Sequence, residues 1–218
     1  MIRGTVRSFV RKHAVCNRFS TAPIKVYGHY ASQPARSVLW LLKIQNMPFE
    51  FERLDPVKGD TRKPEYIAKF PTALIPGLDD NGFCLAEGSA IMQYLCEKNG
   101  WDQWWPCGSD STAIQKRAKI AEYLSSHHHS TRLISHHIFR PFVEGVVKQT
   151  PPSAEKKAEY DNVAIKIATK FEKIYLADGK YIQGFDEPTI ADILAYNEIA
   201  QVKHIGLNDF NSMPVLSA

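Results

Sequence analysis

With 218 residues and 44% hydrophobic composition, the chain can bury a sizeable core as one large domain or two small ones. No segment approaches the ~18 consecutive apolar residues of a bilayer-spanning helix, so none is expected. The formal charge of +4 resides in residues 1–21, where Arg3, Arg7, Arg11, Lys12 and Arg18 stand without an acid; setting those five aside leaves 22 basic residues against 23 acidic and no basis for nucleic-acid binding.

The leader, residues 1–21, sets Ile2, Val6, Phe9 and Val10 opposite an Arg3, Arg7, Arg11 stripe. An Arg-rich, acid-free, Ser/Thr-bearing amphipathic stretch is the composition of an organelle transit peptide, whereas a secretory signal would need a longer apolar run. A mitochondrial destination is expected. A plastid address and a cytoplasmic protein with a basic tail are the alternatives.

From Ile24 onward the pattern predicts a strand over 24–28, a helix over 34–45 and a strand over 49–54, then a polar stretch with a short helix. The dipeptide Asn81-Gly82 between two apolar runs predicts a hairpin of strands near 74–78 and 83–86. A helix over 89–98 follows, with Ile91, Tyr94 and Leu95 on its inner face. The order β-α-β-α-β-β-α describes a small mixed sheet with helices on it. Residues 99–111 carry Gly, Pro and polar residues and read as a linker. Beyond them the periodicity is helical throughout: one long helix from 112 into the 140s, one over 153–176 and one over 189–202, the last opened by a capping box at Thr189 and Asp192. The domains expected are therefore a leader (1–21), a mixed α/β domain (22–98), a linker (99–111) and an all-α domain (112–218).

Cys16, Cys84, Cys96 and Cys107 form neither a CxxC pair nor a zinc spacing and read as reduced, partly buried thiols. His127, His128, His129, His136 and His137 have no carboxylate or cysteine in a ligand pattern with them, so a partly solvated helix face is expected and no metal.

Two positions can carry chemistry. Ser32 precedes Pro34 at the start of the first helix, where its hydroxyl can cap orphan N–H groups. The same place favours negative charge and lowers a thiol's pKa, so Ser32 reads either as a cap or as a catalytic donor. Pro76 stands at the entry to a hairpin strand, where it reads either as a trans residue starting the strand or as a cis residue that leaves the backbone of Ile75 as a free edge for an extended peptide.

The segments "SQPAR", "NMPFEFERLD", "IPGLDDNGFCLAEGSAIMQYL", "WWP", "EYLSSHHHSTR" and "TIADI", in this order and spacing, resemble the glutathione transferase family, most of all its theta class. The resemblance runs from Ile24 to Val202. It implies a thioredoxin-like amino-terminal domain, a helical carboxy-terminal domain, a homodimer, glutathione as co-substrate without a further cofactor, and a small hydrophobic electrophile. By position it implies that Ser32 donates to the glutathione sulfur and that Ile75, before a cis Pro76, pairs with the cysteinyl backbone. It places Glu87 at the γ-glutamyl amine with Gln33 beside the same pocket, and Arg132 at the site from the helical domain. Gly88, with Ser89 next to it, stands at the γ-glutamyl carboxylate.

The family's pattern departs at four places. Gly88 replaces a serine, Thr61 replaces a histidine and Leu74 replaces a lysine, the last two serving the glycine carboxylate; Arg62 and Lys69 are the nearby cations that could stand in. The chain ends at "MPVLSA", short of the family's final helix, and an unusually open electrophile pocket or an incomplete chain is expected there. The activity implied is conjugation of glutathione to electrophiles or reduction of hydroperoxides. A transferase-fold binding module without catalysis is the alternative, since fold alone does not determine function.

Overall fold

The computed structural model describes residues 23–208 and residue 210. The leader, and any transit function in it, lies outside the described residues. Strands β1 (Ile24–Gly28), β2 (Phe49–Arg53), β3 (Gly77–Asp80) and β4 (Phe83–Ala86) form one sheet in the order β2-β1-β3-β4, with β1 parallel to β2 and antiparallel to β3. Alternation along β1 sends Ile24 and Val26 to one face and Tyr27 to the other. Helices α1 (Gln33–Ile44) and α3 (Gly88–Asn99) cover the first face, while Tyr27, Leu54, Tyr66 and Phe70 build a small second core under α2 (Pro64–Lys69). The ring of Phe70 lies so close to Gly77 that a Cβ there would meet it at 2.7 Å, so glycine at the head of β3 lets α2 close onto the sheet.

The start of α1 and the end of α3 follow local chemistry. Ser32 is the N-cap of α1 with Pro34 in its first turn, and Gly100 ends α3 in the left-handed conformation. The hairpin turn falls at Asn81 (φ 55°) and Gly82 (φ 95°), as the dipeptide predicts. Its first strand starts at Gly77, three residues later than the sequence suggests, because Pro76 has no N–H for the ladder; the Ile75–Pro76 bond is cis.

Residues 99–110 do not behave as a mere linker. Trp104 and Trp105 are buried, the indole N–H of Trp105 donates to Glu97 at 2.9 Å, and the carbonyl of Trp104 accepts from Ile190 N–H at 3.1 Å. The segment therefore wedges the two parts of the chain together.

In the second part, the expected long helix is broken. Helix α4 (Ser111–Ser126) ends in a 3₁₀ turn at His127–His129, a short α5 (Arg132–Ile134) follows, then a π-helical turn over Ser135–Phe139 and α6 (Arg140–Val147). The break lies at Ser130, whose ψ of −109° leaves the helical region. Helix α7 (Ala154–Tyr175) is capped by Ser153, the residue at which the expected helix begins. Helix α8 (Ile190–Ile199) opens with the capping box, Asp192 accepting from Thr189 N–H at 2.7 Å, and a short α9 (Gln201–His204) continues after Ala200. One continuous apolar core runs from Val26, Leu41 and Ile91 through Ile120, Tyr123 and Ile134 to Phe171 and Ile190. The face that α1 turns away from the sheet rests on α8, and this junction carries the site.

Candidate active site

Three chain segments meet at one end of the sheet because of its register. Tyr27 pairs with Gly77, and Gly77 pairs with Ala86. The turn after β1 that leads to Ser32, the Ile75–Pro76 dipeptide before β3 and the Glu87-Gly88 step after β4 therefore emerge side by side. A Cβ placed on Gly88 would lie 2.8 Å from Pro34 Cβ, so the first turns of α1 and α3 touch at this point.

Ser32 is half-buried. Its N–H donates to His29 O at 2.9 Å, and its Oγ accepts from Ala35 N–H at 3.4 Å, a long capping bond that leaves the hydroxyl proton free to donate elsewhere. Both readings of Ser32 are thus compatible with one rotamer. The N–H and C=O of Ile75 form no hydrogen bond with the described residues, and the residue is only partly covered, so an unpaired peptide edge faces outward before the cis proline.

Glu87 adopts φ 70° and ψ 115° and is exposed, with no hydrogen bond to its side chain among the described residues. A non-glycine residue in this region costs on the order of 1–3 kcal/mol, which is the type of strain that collects at binding sites. Its carboxylate makes no capping bond to the helix that follows. Behind it, the first amides of α3 have no partner within the helix and, with the helix dipole, form an anion site. Ser89 is partly exposed and its hydroxyl is unengaged among the described residues. Gly88, by contrast, is buried against Pro34, so a serine at this position would not fit without displacing the first turn of α1.

Gln33 and Arg132 turn out differently from the expectation. Gln33 is 4% exposed, and its side chain turns into the junction between the two parts of the chain. Its carbonyl oxygen accepts from Arg132 Nη1 at 3.1 Å and its amide donates to Gln201 Oε1. Both ends of the amide are used inside the protein, so Gln33 braces the site instead of lining the pocket. Arg132 does reach the neighbour of Ser32, but its Nη1 is held by Glu198 Oε1 at 2.5 Å. Glu198 was not recognisable in the sequence as a site residue, and an acid one turn before the end of an apolar helix was its only signal.

The cations expected near the glycine carboxylate divide. Lys69 donates to Asp79 at 2.6 Å and to Tyr27 Oη at 3.1 Å, and those hydrogen bonds raise its pKa. It is committed to the α2 side of the sheet. Arg62 is exposed and makes no ion pair among the described residues. Thr61 is buried, and Leu74 is 59% exposed while its carbonyl accepts from Tyr66 Oη at 2.6 Å. A cavity of about 260 Å³ between Tyr27, Asp60, Lys63, Tyr66 and Lys69 lies under α2 and touches none of Ser32, Ile75 or Glu87.

The histidines are partly solvated. His128, His129, His136 and His137 are exposed, but His127 is buried, bonded through Nδ1 to Thr131 Oγ1 at 3.0 Å, and burial pushes its pKa down to about 3. The chain break at Ser130 folds His127 inward, which the uninterrupted helical periodicity conceals. No group of three or more His, Cys, Asp or Glu among the described residues is placed to hold a metal.

Residues 22–97 match the family described as glutathione S-transferase, N-terminal domain. The chain is 31% identical over 202 residues to glutathione S-transferase theta-2B of Homo sapiens, covering 89% of this chain and 78% of that protein. It is 30% identical over 218 residues to glutathione S-transferase theta-1 of Gallus gallus, covering 88% and 80%. Among solved structures, human glutathione transferase theta-2 in complex with glutathione and an unknown ligand superposes with a TM-score of 0.76 at 30% identity, covering 89% of this chain and 78% of that one. With a thioredoxin-like sheet joined to a helical part and this likeness over most of its length, the chain belongs to the glutathione S-transferase family and is similar to its theta class.

Proposed function

We infer that the protein is a theta-like glutathione transferase that binds glutathione across the sheet end formed by Ile75, Glu87 and the first turn of α3, and ionises its thiol at Ser32. The observation that carries this reading is the convergence of three unsatisfied elements: the open backbone of Ile75, the exposed Glu87 and the α1 N-terminus with a free serine proton. An extended γ-glutamyl tripeptide has a matching set of groups, with a peptide bond for Ile75, an ammonium for Glu87 and a carboxylate for the amides of Gly88 and Ser89. The thiolate forms a sulfur–carbon bond with an electrophile as the leaving group departs with its electron pair, and the thiol proton passes to solvent. A hydroperoxide is the other acceptor within this reading. The exposed Phe83, its ring centroid 4.9 Å from that of the partly buried Tyr94 on α3, supports a homodimer through this flank. Calorimetric titration with glutathione, together with conjugation of a chlorinated aromatic electrophile, tests the reading. Saturable binding and turnover are expected, whereas no heat and no retention on immobilised glutathione would favour a non-catalytic transferase-fold module, which the buried Thr61 and the tight Gly88 would then explain.

The same reading places the enzyme in mitochondria, on the strength of the acid-free arginine-striped leader. Residues 1–21 fused to a fluorescent reporter should carry it to mitochondria and be removed there. Diffuse cytosolic or plastid fluorescence would overturn this placement.

A further inference from the structure

Glu198 on α8 is fully buried, at 0% exposure, in a junction where Gln33, Ser135, Asn197 and Gln201 are buried as well. A carboxylate in such a place is strongly destabilising unless each oxygen is paired. Here Oε1 accepts from Arg132 Nη1 at 2.5 Å, and Oε2 accepts from Ser135 Oγ and from Gln201 Nε2 at 3.0 Å. His127 Nε2 stands 3.7 Å from Oε1, and Arg36 and Arg140 are the further cations whose charge acts on this carboxylate or is acted on by it.

The groups gathered by Glu198 reach in turn to the first turn of α1. Arg132 Nη1 donates to Gln33 Oε1, and Gln201 Oε1 accepts from Gln33 Nε2. One residue of α8 earlier, Asn197 takes Arg36 Nε at 3.2 Å through its side chain and Arg36 Nη2 at 3.0 Å through its carbonyl. Arg36 also donates to Tyr30 O at 2.9 Å, which ties down the turn that delivers Ser32. Ser32 thus lies between Tyr30, held by Arg36, and Gln33, held by Arg132 and Gln201, while its own hydroxyl stays outside the network.

We propose that Glu198 is the positioning residue of the site: its carboxylate fixes Arg132 and Gln201, which clamp Gln33 and so hold the N-terminus of α1, with Ser32, in the geometry for thiol ionisation. It touches neither substrate nor reacting atoms and acts through Arg132 and Gln201. The role in ionisation rests on the transferase reading given above; the clamp on α1 does not.

Glu198→Gln keeps the volume and removes the charge. Hydrogen exchange at the Ala35 and Arg36 amides should then rise about tenfold, with α7 amides unchanged, because local opening is governed by the contacts of that segment. The ultraviolet thiolate band of bound glutathione should titrate about one pH unit higher, corresponding to about threefold less thiolate at about pH 7 for a thiol that starts at about 6.5. The double variant Glu198→Gln/Arg132→Gln should lose less than the sum of the two single losses, since Glu198 acts in part through Arg132. Ser135→Ala, which removes a single donor to Oε2, should move exchange and titration in the same direction by about two- to threefold and decides the matter if Glu198→Gln does not fold. Unchanged exchange at α1 with an unmoved titration, whatever the melting temperature does, would overturn the proposal. A wild type with no thiolate band would count against the transferase reading, and the exchange data would still decide for or against the clamp.

Discussion

Ser32→Ala is expected to lower the conjugation rate at neutral pH by roughly tenfold to a thousandfold, with recovery at alkaline pH and little change in glutathione affinity. Lowering a thiol from about 8.5 to about 6.5 requires roughly 2.7 kcal/mol of preference for the thiolate, within reach of one hydroxyl donor and a helix N-terminus acting together. The affinity should hold because Ile75, Glu87 and the α3 amides engage other parts of the tripeptide. The structure sharpens the contrast with a purely structural role. Ser32 Oγ caps Ala35 N–H at 3.4 Å, a weak bond, so its removal should cost at most about 1 kcal/mol of stability. A pH–rate profile of both proteins beside their melting curves separates the two effects. Coincident profiles with a lowered melting temperature would reduce Ser32 to a cap.

Leu74→Lys is expected to tighten glutathione binding by about 1.5 to 3 kcal/mol, the size of a charge-assisted hydrogen bond to the glycine carboxylate. Leu74 is 59% exposed, so a longer polar side chain meets no packing obstacle, and its anchoring bond to Tyr66 uses the backbone carbonyl and survives the substitution. Lys69 cannot already fill the role, since Asp79 and Tyr27 hold it on the α2 side. An unchanged calorimetric dissociation constant would point to Arg62 as the existing partner, and Arg62→Ala in the wild type should then weaken binding by a similar amount.

Much of this molecule is legible from short-range chemistry. The Asn81-Gly82 turn, Ser32 and Pro34 at the head of α1 and the Thr189–Asp192 box each express a preference that neighbouring residues alone satisfy, and the structure has all three. Of the ordered motifs that carry the family, "SQPAR" and "TIADI" are local solutions of this kind, each a helix cap. What the sequence could not disclose is where polar side chains go once helices pack. Gln33 looks like a pocket residue beside Ser32, yet its amide is consumed by Arg132 and Gln201, the latter far along the chain. Glu198 and His127 look like ordinary members of helix faces, yet both are buried at the same junction, one charged and paired, the other neutral. The burial of a polar group is tolerated only where distant residues complete its hydrogen bonds, so its role is decided when α1, α5 and α8 come together, and no periodicity in the chain records that meeting.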